Sequence, residues 1–473
     1  MISPRVLLLL LFAVVLVVRL GHHSIVWVEE GYPAAAALAI RQGAWLYRDI
    51  WFDKPPGSAF LYLLWGAQTG WVLRLAGALY ITLASYTAYR FAHSEWGRRE
   101  GFLAAALLAF SLTFTVPSAA LVLGPDLLLI VPHLMAVHYA WRVRPLLSGL
   151  WCGAGLLINT KAMFIAAVCA FWLYRHLPVF GLAVLTPQLA LLPVAREYWQ
   201  QVWIWGMAYS RDTFVLQPFR EGLLRTANWL GFQSAAVVAA GWFLRQGPGR
   251  RRWLLWLAIS FIAVAAGLRF FPRYYFHVLP IVVLLASRGL LLMPRRWAYA
   301  AALLLLIPLV RFGPRYYWHE NWADLAMERA SHQVAARLVG CRSLFVWGYR
   351  PDVYAISGCP PGSPYLDSQP LSGVMADRHL TSSTPSVPGD RRRLIESLPH
   401  YIVDGLGPYN PELAITRYPD LAAWLGQYEE IGRTPGAVIY RLTASNPAAT
   451  KSGPSSSSET DFRPVIPSRL RGE

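Results

Sequence analysis

Charge is scarce in this chain. Only 15% of its 473 residues are Asp, Glu, Lys or Arg, while 55% are hydrophobic; an ordinary soluble domain carries about 25% charged residues. That shortage argues against a water-soluble enzyme. Cysteine is also rare: the four present include no CxxC pair, so no thiol metal motif is offered. Cys152 and Cys169 fall in apolar runs and read as small core residues. Cys341 and Cys359 lie in a polar C-terminal part and are a candidate disulfide if that part is periplasmic. Lysine is rarer still, since of 43 basic residues only Lys54, Lys161 and Lys451 are lysine. No internal repeat is visible.

Acidic residues are missing from the middle of the apolar runs. Ten precede position 312, and Glu29, Glu30, Asp49, Asp53, Asp126, Glu197, Asp212 and Glu221 fall in segments expected outside, Glu95 and Glu100 inside. A transporter or lipid flippase, the competing reading, places ionisable groups near the bilayer midplane on broken helices. The net charge of +17 does not report nucleic acid. Its arginines cluster in short loops, at Arg98–Arg99, Arg142–Arg144, Arg250–Arg252 and Arg295–Arg296, which is the positive-inside pattern of cytoplasmic loops.

What is present is a series of apolar runs approaching the ~20 residues that cross a hydrocarbon core. Keeping the arginine-rich loops inside predicts crossings at 5–20, 71–91, 101–117, 126–141, 146–160, 162–174, 177–194, 226–244, 253–268, 275–288 and 297–311. The first is read as an uncleaved helix, since GHHS rather than a small-residue cleavage site follows it. The stretch 58–69 is too short to span. The expected fold is a polytopic α-helical membrane protein of about eleven transmembrane helices over 1–311, with the first external loop at 21–57. A small extracytoplasmic α/β domain over 312–445 follows, with strands in RSLFVWG (342–348) and HYIVDG (400–405) and helices at 325–338 and 418–425. The Ser-rich stretch from 446 to 473 reads as a disordered tail.

The first external loop, WVEEGYPAAAALAIRQGAWLYRDIWFDKPPG, carries the chemistry. Glu29, Glu30, Asp49, Asp53 and Lys54 sit among Trp, Tyr, Phe and Ala, so these charges are placed rather than scattered through a solvated loop. Lys54 and Lys161 both fall at predicted outer helix ends, where a compact ammonium suits a lipid phosphate but also simply snorkels to the interface. A second external cluster, RFFPRYYFHVLP, gathers Arg269, Arg273, Tyr274, Tyr275 and His277. It reads either as an interfacial aromatic belt with basic anchors or as a phosphate-binding patch, with Arg273 foremost. Asp126, in LGPDLLLI, is a helix start or a second acidic site. His133 reads as a core histidine, and His22 and His23 as interfacial. The Trp-rich loop 195–225 is expected on the membrane surface, where it could cover a lipid.

An acidic pair before a small residue and Tyr, then Gly, Tyr-x-Asp and an acidic-Lys-Pro-Pro run, resembles the first external loop of the GT-C glycosyltransferases. Protein O-mannosyltransferases, the lipid A aminoarabinose transferase and the bacterial dolichyl-phosphate-mannose-type transferases share that layout, and the likeness covers roughly residues 1–310. The resemblance implies a polyprenyl-phosphate sugar donor and ties the first carboxylate of the pair to catalysis. That carboxylate is usually Asp, and Glu29 stands there, which leaves open whether Glu29 or Glu30 acts and whether the chain is an inactive relative. A Lys in a comparable G-x-x-x-x-T-K context recurs in the family, matching Lys161.

The chemistry needs little more. Expelling a phosphate requires no general acid, so one carboxylate to deprotonate the acceptor hydroxyl, with positive charge over the phosphate, suffices. Glu29 or Glu30 is the candidate base, with Asp53 as an alternative base, metal ligand or acceptor contact. Lys54, Lys161, Arg273 and Tyr274 are the candidate phosphate-binding residues. A divalent Mg²⁺ or Mn²⁺ bridging Asp53 or Glu29 and the phosphate, with His277 a further candidate ligand, is the candidate cofactor. The sequence therefore predicts an inverting hexosyl- or pentosyltransferase in the bacterial-type plasma membrane, acting on its extracytoplasmic face. Its partners are a polyprenyl-phosphate sugar, membrane lipid and an acceptor that is lipid, glycan or protein.

Overall fold

Helices form where apolar runs are punctuated by the residues that start them. Ser3 caps the helix Pro4–Leu20, its hydroxyl accepting from the Val6 N–H at 3.3 Å, and proline opens Pro145–Leu156 and Pro218–Phe232. In the computed structural model, residues 3–211, 216–247, 249–314, 331–348, 350–372 and 388–443 are described. The expected tail at 446–473, Asp212 and the start of the helix expected at 325–338 lie outside the described residues.

Most expected crossings appear as helices: Pro4–Leu20, Trp71–Glu95, Arg98–Thr113, Ile130–Trp141, Pro145–Leu156, Ala162–Trp172, Arg250–Ala265 and Leu279–Leu292. Among the described residues only one continuous helical stretch, Tyr174–Ser210, is both long and apolar enough to cross a membrane, so a count of eleven is not established. That stretch also corrects the outer loop expected at 195–225: the chain stays helical to Ser210, through a π-helical turn at Trp199–Ile204. The helix expected at 226–244 is two, Pro218–Phe232 and Ser234–Gln246, broken at Gln233. The Gln233 side chain accepts from the Ser111 hydroxyl at 2.8 Å. Leu9, Leu64, Leu182 and Leu192 are exposed on helix flanks, a pattern that surrounding lipid would cover. Inside, Trp256 stacks with Phe91, Trp141 meets both Phe91 and Trp253 edge-on, and the Trp256 indole donates to His133 at 2.7 Å.

The segment 21–57, expected as the first external loop, is not extended. Val28–Arg41 is a 14-residue helix with Glu29 and Glu30 in its first turn, and Gly57–Leu63 is a second, shorter one. Beyond the bundle stands a four-stranded sheet made of β1 (Leu344–Trp347), β2 (Tyr401–Asp404), β3 (Tyr428–Thr434) and β4 (Ala437–Leu442), in the order β1-β2-β4-β3. β1 and β2 run parallel, Val346 opposite Val403, and are buried throughout, as their unbroken apolar runs require. The β3–β4 hairpin pairs antiparallel and is an addition to the two strands expected from the apolar runs. Cys341 and Cys359 are disulfide-bonded, with Cα atoms 5.8 Å apart.

The sheet domain rests on this segment. Gly31 makes this possible, since a Cβ there would lie 2.6 Å from the backbone nitrogen of Asp352. Further along, the Trp51 N–H donates to the Pro364 carbonyl at 2.7 Å. Both ends of the acidic loop are therefore held by residues more than 300 positions away.

Candidate active site

A cavity of about 230 Å³ opens where the loop, the helix breaks and the aromatic cluster meet. Its walls carry three carboxylates, Glu29, Asp53 and Asp126, and four cations, Lys54, Lys161, Arg269 and Arg273, together with Tyr209 and Tyr274. Six short segments, distant in sequence, supply them.

Glu29 enters from the first turn of Val28–Arg41. Its Oε1 lies 2.5 Å from Arg273 Nη1, and the same guanidinium reaches Asp126 Oδ2 through Nε at 3.4 Å. Asp126 comes from the four-residue helix Pro125–Leu128, and its Oδ1 accepts from Asn159 Nδ2 at 3.0 Å. His277, buried, stands 3.8 Å from that same oxygen. Asp53 and Lys54 pair with one another at 2.7 Å. Their segment is fixed by the Tyr47 hydroxyl donating to the Lys54 carbonyl at 2.8 Å, and by Gly57, whose N–H donates to the Leu157 carbonyl at 2.6 Å. A Cβ on Gly57 would fall 2.6 Å from that carbonyl oxygen, so only glycine lets the Asp53–Lys54 segment approach the break at 157–161.

Lys161 sits in that break, between Pro145–Leu156 and Ala162–Trp172. Its ammonium is shielded from solvent, makes no hydrogen bond with the described residues, and lies over the Tyr274 ring 2.8 Å from the centroid. Burial pushes its pKa down, Asp126 resists, and Arg273 and Arg269 push down again, for a value of about 7. Arg269 stacks on Tyr209, 3.9 Å from its ring centroid, while the Arg225 side chain donates to the Arg269 carbonyl at 2.7 Å.

Glu30 stands elsewhere. It is fully buried and pairs with Arg74 at 2.7 Å, and its other oxygen accepts from the Leu123 N–H at 2.9 Å. Arg74 in turn donates to the carbonyls of Ile25 and Leu121, both within 2.7 Å. Glu30 and Arg74 thus tie the start of the loop helix to the segment leading into Asp126, and Glu30 does not line the cavity. The two candidates for the base are separated by geometry alone.

The metal-binding residues expected from sequence are not brought together. Asp53 faces Lys54 and His277 faces Asp126, and among the described residues no three His, Cys, Asp or Glu side chains converge on a possible metal position. Each cavity carboxylate already faces a cation, so the donor set does not fit a resident divalent ion. Asn159 is a site residue that sequence reasoning misses. Its signal is an Asn two residues before a Lys at a helix break, where its carbonyl oxygen accepts the Lys161 N–H at 3.0 Å in an Asx turn.

No family model matches the chain, and no curated protein matches its sequence. Solved structures do. The chain is similar to ArnT from Cupriavidus metallidurans bound to undecaprenyl phosphate, at TM-score 0.57 and 16% identity, over 94% of this chain and 99% of that one. The apo state of ArnT from the same organism aligns at TM-score 0.54 and 15% identity, over 92% and 98%. A lesser likeness, TM-score 0.47 at 14% identity over 91% and 73%, joins the chain to the Archaeoglobus fulgidus oligosaccharyltransferase in complex with Zn and sulfate. The likeness is one of fold. It extends well beyond residue 310, where the sequence resemblance ends, and takes in the sheet domain.

Proposed function

We propose that this chain is a membrane glycosyltransferase that moves a sugar from a polyprenyl-phosphate donor to an acceptor hydroxyl on the outer face of the bilayer. The observation that carries the reading is a cavity in which a carboxylate, Glu29, faces a wall of four cations. Similarity in fold to a protein bound to undecaprenyl phosphate supports the donor class.

In this reading Glu29 takes the proton of the acceptor hydroxyl as its oxygen bonds to the anomeric carbon. The bond from that carbon to the phosphate oxygen breaks on the opposite side, inverting the centre. The phosphate leaves as an anion, held by Lys161, Arg273, Lys54 and Arg269, with the Tyr274 hydroxyl as a further donor. Side chains fixed before reaction supply the positive field, which is where most of such a rate enhancement arises. Arg273 contacts Glu29 and Asp126 together, so a phosphate that draws Arg273 towards itself leaves the Glu29 carboxylate unshielded to act as base. Asp53, beside Lys54, is placed to contact the acceptor. The carboxylates ring one polar cavity at helix ends, which favours transfer over transport.

The test is to incubate purified protein with a panel of polyprenyl-phosphate sugars and follow sugar loss and release of the polyprenyl phosphate. Turnover by wild type but not by Glu29→Gln supports the reading. Movement of lipid-linked sugar into sealed vesicles without any cleaved product overturns it.

A further inference from the structure

Among the described residues, the Lys161 ammonium is the one cavity cation for which burial comes without a hydrogen bond, although an aspartate shares the same wall. A buried ammonium near a carboxylate ordinarily collapses onto it, because an unpaired charge away from water is costly. Something therefore keeps Asp126 turned aside. Asn159 is placed to do so. Its side-chain oxygen accepts the Lys161 N–H at 3.0 Å, which orients the amide, since a backbone N–H can only donate. The amide nitrogen is thereby aimed at Asp126 and donates to Oδ1 at 3.0 Å. Arg273 occupies the other oxygen, Oδ2, at 3.4 Å, and His277 closes the side of Oδ1 at 3.8 Å.

We propose that Asn159 is a positioning residue: by engaging Asp126 while shaping the turn that carries Lys161, it keeps the Lys161 ammonium open to the phosphate of the donor. This rests on the polyprenyl-phosphate reading above. Without the amide, Asp126 swings onto Lys161 and quenches the anion site from within. A residue that only shapes a turn has no such dependence on Asp126, and this difference separates the two roles.

The experiment measures binding of undecaprenyl phosphate to the detergent-purified full chain, with thermal unfolding recorded beside it. Asn159→Ala weakens binding about tenfold or more, a loss of about 1.4 kcal/mol, and raises the donor KM with kcat changed far less. Asn159→Ser keeps an oxygen for the turn but lacks the reach to Asp126, and it weakens binding to the same extent. Adding Asp126→Asn to either variant removes the quenching charge and returns affinity to within about threefold of wild type. Wild-type affinity in Asn159→Ser overturns the inference, as does a loss in either variant that Asp126→Asn leaves uncorrected. If wild type itself binds no undecaprenyl phosphate, the donor assignment fails instead, which tells the two failures apart.

Discussion

Glu29 and Arg273 meet at 2.5 Å, each side chain about a quarter exposed, in the wall of a cavity that also carries Lys54, Lys161 and Arg269. The contact joins the first turn of one helix to the 3₁₀ helix Pro272–His277, some 240 residues later. It places the carboxylate proposed as base and a guanidinium suited to phosphate within one hydrogen bond of each other. An ion pair at this exposure adds little stability, so its removal is expected to be felt in chemistry.

Glu29→Gln keeps the shape of the side chain and loses its basicity. Transfer is expected to fall by more than about a hundredfold, while the thermal unfolding midpoint stays where it was. Single-turnover assays on protein matched for folded fraction check this, and activity within a few-fold of wild type refutes the role.

Glu30→Gln has the opposite profile. Removing one charge of the buried pair with Arg74 strands a guanidinium without solvent, a change that costs on the order of 3–5 kcal/mol. A clear drop in thermal stability and in yield of folded protein is expected, and Arg74→Leu added to Glu30→Leu recovers part of it. An unchanged midpoint in Glu30→Gln contradicts the structural role.

Lys161 predicts a pH dependence. Its folded pKa is about 7, below the ordinary 10.5, so the unfolded chain binds more protons between those values. Stability from this group therefore rises with pH across that window. Phosphate binding runs the other way, because the ammonium is charged below about pH 7 and neutral above it. Affinity for undecaprenyl phosphate is expected to fall from pH 6 to pH 8 and to flatten in Lys161→Arg, which stays charged throughout. Binding measured across that range in both proteins decides the matter.

The Cys341–Cys359 bond closes a loop of 18 residues, for which loop-closure entropy gives about 3 kcal/mol. It also fastens the end of the helix Asp352–Ser357, whose start abuts Gly31. Replacing both cysteines by serine is expected to lower the unfolding midpoint, and reductant is expected to do the same to wild type but not to the variant. Equal midpoints for all four samples rule the stabilisation out.

Several elements are legible in the order of the amino acids. Ser3 and Pro4 mark the first helix, and the buried strands β1 and β2 announce themselves as unbroken apolar runs. The loop helix Val28–Arg41 is harder to see because Pro33 and Gly31 interrupt it, and both disfavour helix interiors unless tertiary contacts require them. The β3–β4 hairpin carries a signal in the Pro435–Gly436 turn, yet β3 reads as largely polar and is half-exposed. Asn159 stays hidden because its partners are an aspartate 33 residues away and the backbone of its own turn.

The sequence by itself determined the inventory: apolar helices, scarce lysines, and acids confined to the ends of apolar runs. Those are properties of composition and local order, and hydropathy and propensity act on them directly. Which member of the acidic pair faces the cavity was decided by tertiary structure alone. Neighbours on a helix point about 100° apart, so one glutamate must turn away from the other, and only the position of Arg74, 44 residues further on, settles that it is Glu30.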